Sequence, residues 1–136
     1  MTPPIKAAGA SDKAGRWAKA QQFAEAARLF EQEALNGMDS DFADVFVTLA
    51  VHSGIAPADV ICIARLGQYS MTANHDDAKR LLEKAEPGAK KHLERLLALK
   101  TKAGYQHTPA SRADAQTAAR AYVALLDAAK NTRPTG

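Results

Sequence analysis

FADVFVTLAVHSGIAPADVICIARLG, residues 42–67, is apolar on two sides when wound as a helix. Phe42, Val45, Phe46, Leu49, Ser53, Ala56, Val60, Ile63, Ala64 and Gly67 share one face at helical spacing, and Val51, Ile55, Ala58, Cys62 and Leu66 run along the other. A helix of this kind has to be covered on two sides, either at the centre of a bundle or by sharing it with another subunit. Gly54 and Pro57 fall inside the stretch. Proline removes one backbone hydrogen bond and crowds the preceding turn, yet the apolar faces before and after it stay in phase. The pattern predicts one kinked helix of about 26 residues, roughly 39 Å long.

Upstream, Trp17, Ala20, Phe23, Ala27, Phe30 and Ala34 recur at 3–4 spacing and predict a first helix. Ser11 or Asp12 is placed to cap it, and Asn36-Gly37 to end it with a left-handed residue. Asp39, Ser40 or Asp41 can open the second helix. Gly67–Asn74 reads as a loop, with Asn74 capping a third helix on Ala78, Leu81, Leu82 and Ala85 that stops before Pro87-Gly88. A fourth follows from about Ala89 to Tyr105, with Ala89, Leu93, Leu96, Leu97 and Ala103 inward. Ser111 with Asp114 resembles a capping box for the fifth, which runs to about Lys130 on Ala115, Ala118, Ala119, Tyr122, Leu126 and Ala129. No segment alternates at period two. The expected fold is all-α, a five-helix up-and-down bundle spanning 11–130, with 1–10 and 131–136 as flexible tails.

At 136 residues the chain has the length of one domain with a real core. Cys62 is its only cysteine, which excludes an intrachain disulfide and fits a reducing compartment; as part of the second stripe it reads as a small buried hydrophobe. The N-terminal stretch lacks the apolar core of a secretory signal. No run approaches the roughly 18 apolar residues of a membrane span, so a cytoplasmic location without membrane contact is expected. Charge is uneven: residues 1–78 hold 6 Lys/Arg against 10 Asp/Glu, and residues 79–136 hold 12 against 5. A basic second half fits an anionic partner, or an acidic first half of the same fold or of a second copy.

Lys91, Arg95 and Lys102 fall within about 40° of one another on the outward face of the fourth helix. Such a ridge suits phosphate contacts, which need positive charge without fixed geometry. Lys100 instead points into the middle of the apolar face, where an ammonium must be paired or must reach out to water; Asp59 and Asp44 are the candidate carboxylates. His52 and Asp59 lie two turns apart on the boundary between the stripes and form a candidate buried polar network, with Lys100 and Tyr105 as further buried polar candidates. The four histidines, at 52, 75, 92 and 107, form no HxH, HxxxH or HExxH pair, so neither a metal nor any other cofactor is expected. There is no Gly-rich phosphate loop and no local nucleophile motif.

VTLAVHSGIAPADVICIARLG (47–67), NHDDAKRLLEKAEP (74–87), LLALKTKAGY (96–105) and the Ala-rich last helix together resemble a HEPN domain. More narrowly, they resemble small stand-alone HEPN-like proteins of actinobacterial type. The segment Lys100-x-x-Ala103-Gly104-Tyr105 carries part of the likeness, although the family commonly has Arg first and Asp before the Tyr. The resemblance implies a four- or five-helix bundle that dimerises, here through the second helix. Many such domains are metal-independent ribonucleases with an Arg, four to six residues, then a His. No Arg here has a His five to seven positions on; the nearest analogue is Lys102 with His107, and Lys lacks the planar fork that fits a phosphate. The expectation is a non-catalytic module binding an anionic partner, RNA or another nucleic acid or nucleotide. The alternatives are a toxin-like ribonuclease using Lys102 and His107, or a structural interaction dimer.

Overall fold

The computed structural model describes residues 5–37, 42–71 and 75–132. Along the chain these form β1 (Ile5–Ala7), α1 (Ala10–Asn36), α2 (Ala43–Leu66), β2 (Gln68–Ser70), α3 (His75–Ala85), a 3-10 turn (Pro87–Ala89), α4 (Lys90–Tyr105) and α5 (Arg112–Thr132). The protein is a five-helix, predominantly α-helical bundle. α2 runs unbroken through Pro57 and is the central element, with α1, α5, α4 and α3 packed around it. Most of both stripes is therefore covered by the same chain, with Phe42 and Val45 at the start of the first left exposed. By length and composition α2 is apolar enough to cross a membrane, contrary to the sequence expectation, but 72% of its most apolar window is buried inside the bundle.

The closest approach occurs at Gly54. A Cβ there would collide with the Leu96 side chain of α4 and lie 3.1 Å from Leu125 Cδ1 of α5. Both leucines are fully buried, so α4 and α5 rest against the backbone of α2. Beside them Phe46 meets Tyr122 edge-on, with ring centroids 6.1 Å apart, and the Tyr122 hydroxyl donates to Glu31 of α1 at 3.0 Å. Three helices thus converge on one aromatic pair. At the start of α5, the Asp114 N–H donates to Ser111 Oγ at 3.0 Å and the Ser111 N–H to the Asp114 carboxylate at 2.9 Å, the reciprocal cap predicted from the sequence.

Several expectations give way. Residues 5–7, read as tail, pair antiparallel with residues 68–70, read as loop, in the register Ile5 with Ser70. Three-residue strands are too short to display a period of two. Gly67 makes the ladder possible: its left-handed φ of 65° ends α2, and its carbonyl accepts the Ala8 N–H at 2.9 Å. Gly37 ends α1 in an extended rather than left-handed conformation; a side chain there would run into the Glu33 carbonyl oxygen, so the glycine supplies room and not handedness. α1 starts at Ala10 after Gly9, with Asp12 accepting the Gly9 N–H at 3.2 Å. The caps assigned to Asp39, Ser40, Asp41 and Asn74 lie outside the described residues.

Two glycine substitutions with opposite outcomes test this packing. Gly15 is exposed within α1 and has open space around it, so Gly15→Ala stabilises by about 0.5–1 kcal/mol through helix propensity. Gly54→Val destabilises by about 1–3 kcal/mol through overpacking. Urea midpoints of the two variants check both signs.

Candidate functional site

Two clusters hold the chemistry-bearing residues. The first lies where α1, α2, β2, α3 and α4 meet. Asp59 of α2 is buried, with 8% of its surface exposed, and its carboxylate lies 3.4 Å from Arg16 Nε of α1. The same guanidinium sits over the ring of Tyr69 on β2, 5.3 Å from its centroid, a cation–π contact that holds it against the sheet. Burial pushes the Asp59 carboxyl up while Arg16 pulls it down; burial wins, and the group is pushed up to about 7. Burial, reinforced by Asp59, also pushes the Cys62 thiol up to about 12, which keeps it neutral and unreactive near pH 7. Asp59, Cys62, Ser70 and His75 line a cavity of about 20 Å³, room for about one water molecule.

Lys100 has neither of its expected partners. Asp59 is taken by Arg16, and the Asp44 carboxylate accepts the Ala110 N–H at 2.7 Å, tying the α4–α5 connection to the start of α2. Lys100 Nζ instead lies 3.0 Å from His75 Nε2, the first residue of α3. An ammonium can only donate, so the imidazole accepts and carries its proton on Nδ1. Burial lowers the pKa of His75, and Lys100 and Lys79 add to that against Asp76. Burial and then Lys100 lower His52 likewise. No carboxylate pairs with Lys100 among the described residues.

Two further expectations are corrected here. His52 is exposed, not buried, and stacks on Phe23 of α1 with centroids 5.2 Å apart and planes at 27°. It therefore forms no buried network with Asp59. Tyr105 is 79% exposed, because it falls in the last turn of α4, where the neighbouring helices no longer cover it.

The second cluster is the outer face of α4. Lys91 and Arg95 are exposed one turn apart and have no carboxylate partner among the described residues. Lys102, the third member of the predicted ridge, is half-buried, with Nζ 2.7 Å from the Asp114 carboxylate that caps α5. His107 is exposed in the turn after α4. Between the basic residues, His92 Nδ1 is buried without a hydrogen-bond partner among the described residues; burial first, then Lys91 and Arg95, lower its pKa. Among the described residues no group of His, Cys, Asp or Glu could hold a metal ion.

Sequence reading missed Arg16, Tyr69 and His75. Arg16 lies 43 positions from Asp59, and only the packing of α1 along α2 brings the two together. Compared with known proteins, the chain matches no protein-family model, no curated protein and no solved structure.

The raised pKa of Asp59 sets a pH dependence. The unfolded chain loses this proton near pH 4, the folded chain only near 7. The contribution to stability is therefore full below pH 4, falls between pH 4 and 7 by up to about 4 kcal/mol, and is flat above. Urea unfolding of the protein and of Asp59→Asn across pH 4–8 checks it: stability relative to the variant falls through that window. A relative stability that rises with pH would instead mean that the Arg16 ion pair prevails.

Proposed function

We propose that this chain is a non-catalytic, HEPN-like helical module that binds RNA or another nucleic acid through the outer face of α4. The observation that carries the reading is the pair Lys91 and Arg95, two exposed cations one turn apart with no carboxylate partner among the described residues. Phosphate diesters bind such cations mainly by releasing counterions, which asks for exposed positive charge and little else. The balance of +7 over residues 79–136 supplies the longer-range attraction.

The non-catalytic half of the proposal rests on what the ribonuclease alternative would require. Its cation, Lys102, already has a counterion in Asp114 at 2.7 Å. Freeing it to meet a phosphate transition state would also break into the cap of α5, and an arginine's bidentate fork is missing in any case.

Fluorescence anisotropy with labelled single-stranded RNA, at salt concentrations between about 50 and 200 mM, tests the proposal. Binding weakens steeply with salt and the RNA stays intact. Replacing Lys91 and Arg95 together by Ala lowers the salt slope by about 1.4, since each phosphate contact on a single strand contributes about 0.7. No binding at low salt would sink the nucleic-acid reading; cleavage lost on His107→Ala would restore the ribonuclease.

A further inference from the structure

α1 and α4 flank α2 but make no substantial contact with each other. Over the N-terminal half of α2 this leaves an open groove of about 260 Å³, lined by Thr48, Val51 and His52 of α2 and by Lys100, Gly104 and Tyr105 of α4. Its floor is apolar, because Val51 is buried. His52 forms one wall, and its stack on Phe23 carries the apolar surface toward α1. Burial first, then Lys100, lower the His52 pKa, so this wall is neutral near pH 7. On the other wall Lys100 and Gly104 stand one turn apart, about 40° from each other around α4. Tyr105 lies about 140° around the helix from Lys100, and its largely exposed ring marks the outer edge of the groove.

The interior therefore holds one cation over an apolar floor. Lys100 is half-buried, its ammonium is held by the neutral His75 imidazole, and no carboxylate pairs with it among the described residues. Buried charges are ordinarily paired, because an unpaired one loses hydration. The groove is open at this point, so an anion from outside can supply the missing partner. The walls decide which anion. Phosphate dianions are held by several donors at once, from Arg forks or from the N–H groups of a helix N-terminus. Here Lys100 is the single cation and none of the lining residues lies in the first turn of a helix. The groove also runs beside the last turn of α4, the negative end of that helix's dipole. A monoanion suits that field better than a dianion. A carboxylate is a monoanion at neutral pH, and the Val51 floor offers an attached hydrocarbon chain a place out of water.

We propose that the α1–α4 groove is a site for a small aliphatic monocarboxylic acid, with Lys100 pairing the carboxylate and Val51 and His52 covering the chain. Thr48, exposed one turn before His52, offers a hydroxyl donor at the rim. The volume lies just under that of drug-sized ligand pockets, which matches an acid of a few carbons. The inference stands apart from the nucleic-acid reading of the outer face. At 100° per residue Arg95 and Lys91 point about 140° and 180° around α4 from Lys100.

The test is an NMR titration of the His52 and His75 ring resonances at constant ionic strength, with acetate, butyrate and hexanoate as ligands and hexanamide and inorganic phosphate as controls. Hexanoate moves both rings at millimolar concentration, since one lines the groove and the other holds Lys100. Affinity rises from acetate through butyrate to hexanoate, by up to about fourfold per methylene. Hexanamide keeps the chain without the charge and binds about tenfold or more weakly, and phosphate is weaker than hexanoate. Lys100→Met weakens hexanoate by about tenfold or more; it removes an unpaired charge from an apolar face, so the fold tolerates it. Gly104→Leu keeps Lys100 but fills the space beside it, where a Cβ meets nothing within 4 Å. It weakens hexanoate without lowering the thermal midpoint, because Leu favours the helix more than Gly does. Replacing Lys91 and Arg95 by Ala leaves hexanoate binding unchanged, so failure of the RNA reading and failure of the groove are separate results. The proposal is overturned if phosphate, hexanamide or acetate binds as well as hexanoate, if no acid moves the rings at millimolar concentration, or if either Lys100→Met or Gly104→Leu keeps full affinity.

Discussion

One constraint organises this molecule: α2 is apolar around most of its circumference and must be enclosed. Fifteen of its residues, from Ala43 to Ile63, are buried, and the chain meets that demand by wrapping four helices about a single axis. The consequences reach every other element. α4 and α5 can both reach the axis only because Gly54 has no side chain. Tyr122 must satisfy its hydroxyl across the bundle, on Glu31. The ends of α2 are tied down by the Asp44 contact to Ala110 at one end and by the Gly67 turn into β2 at the other.

Enclosure is incomplete, and its gaps are where the polar chemistry collects. Toward the C-terminal half of α2, the space between α1 and α3 is closed by the β1–β2 ladder, and the buried Asp59 finds Arg16 there. Toward the N-terminal half, the space between α1 and α4 is left open by the described residues. Lys100 therefore sits at a boundary, with its stem in the apolar face of α4 and its ammonium toward open space. Burial first, and the Lys100 ammonium after it, lower the pKa values of His52 and His75. The outer face of α4 has a different character: Lys91 and Arg95 lie in water, where charge is inexpensive and long-range attraction to an anion is its main effect.

The helices were legible in the sequence to within a few residues, because each carries an apolar stripe at a spacing that only a helix satisfies. The α5 cap was legible too, since Ser111 and Asp114 are local to each other and need no tertiary context. Contacts between distant segments were not legible. Nothing near Arg16 announces Asp59, and nothing near His75 announces Lys100. The carboxylates chosen for Lys100 were chemically apt but had other partners, a backbone amide in one case and a guanidinium in the other. Periodicity located Lys100 on the correct face, whereas Tyr105 and His52 were misjudged because periodicity gives a direction around a helix and not whether a neighbour covers it. Lys102 illustrates the same limit: its direction matches Arg95, yet α5 supplies Asp114 at that point along the axis.

Native-state hydrogen exchange of α2, followed at two protein concentrations, tests most directly the claim that one chain encloses its own central helix. The amides of Phe46, Val51, Val60 and Ile61 should exchange only through global unfolding, with protection that does not change on dilution. Protection of these amides that falls on dilution, or exchange faster than that of the flanking α5, would contradict the account and place part of the cover of α2 on a second molecule.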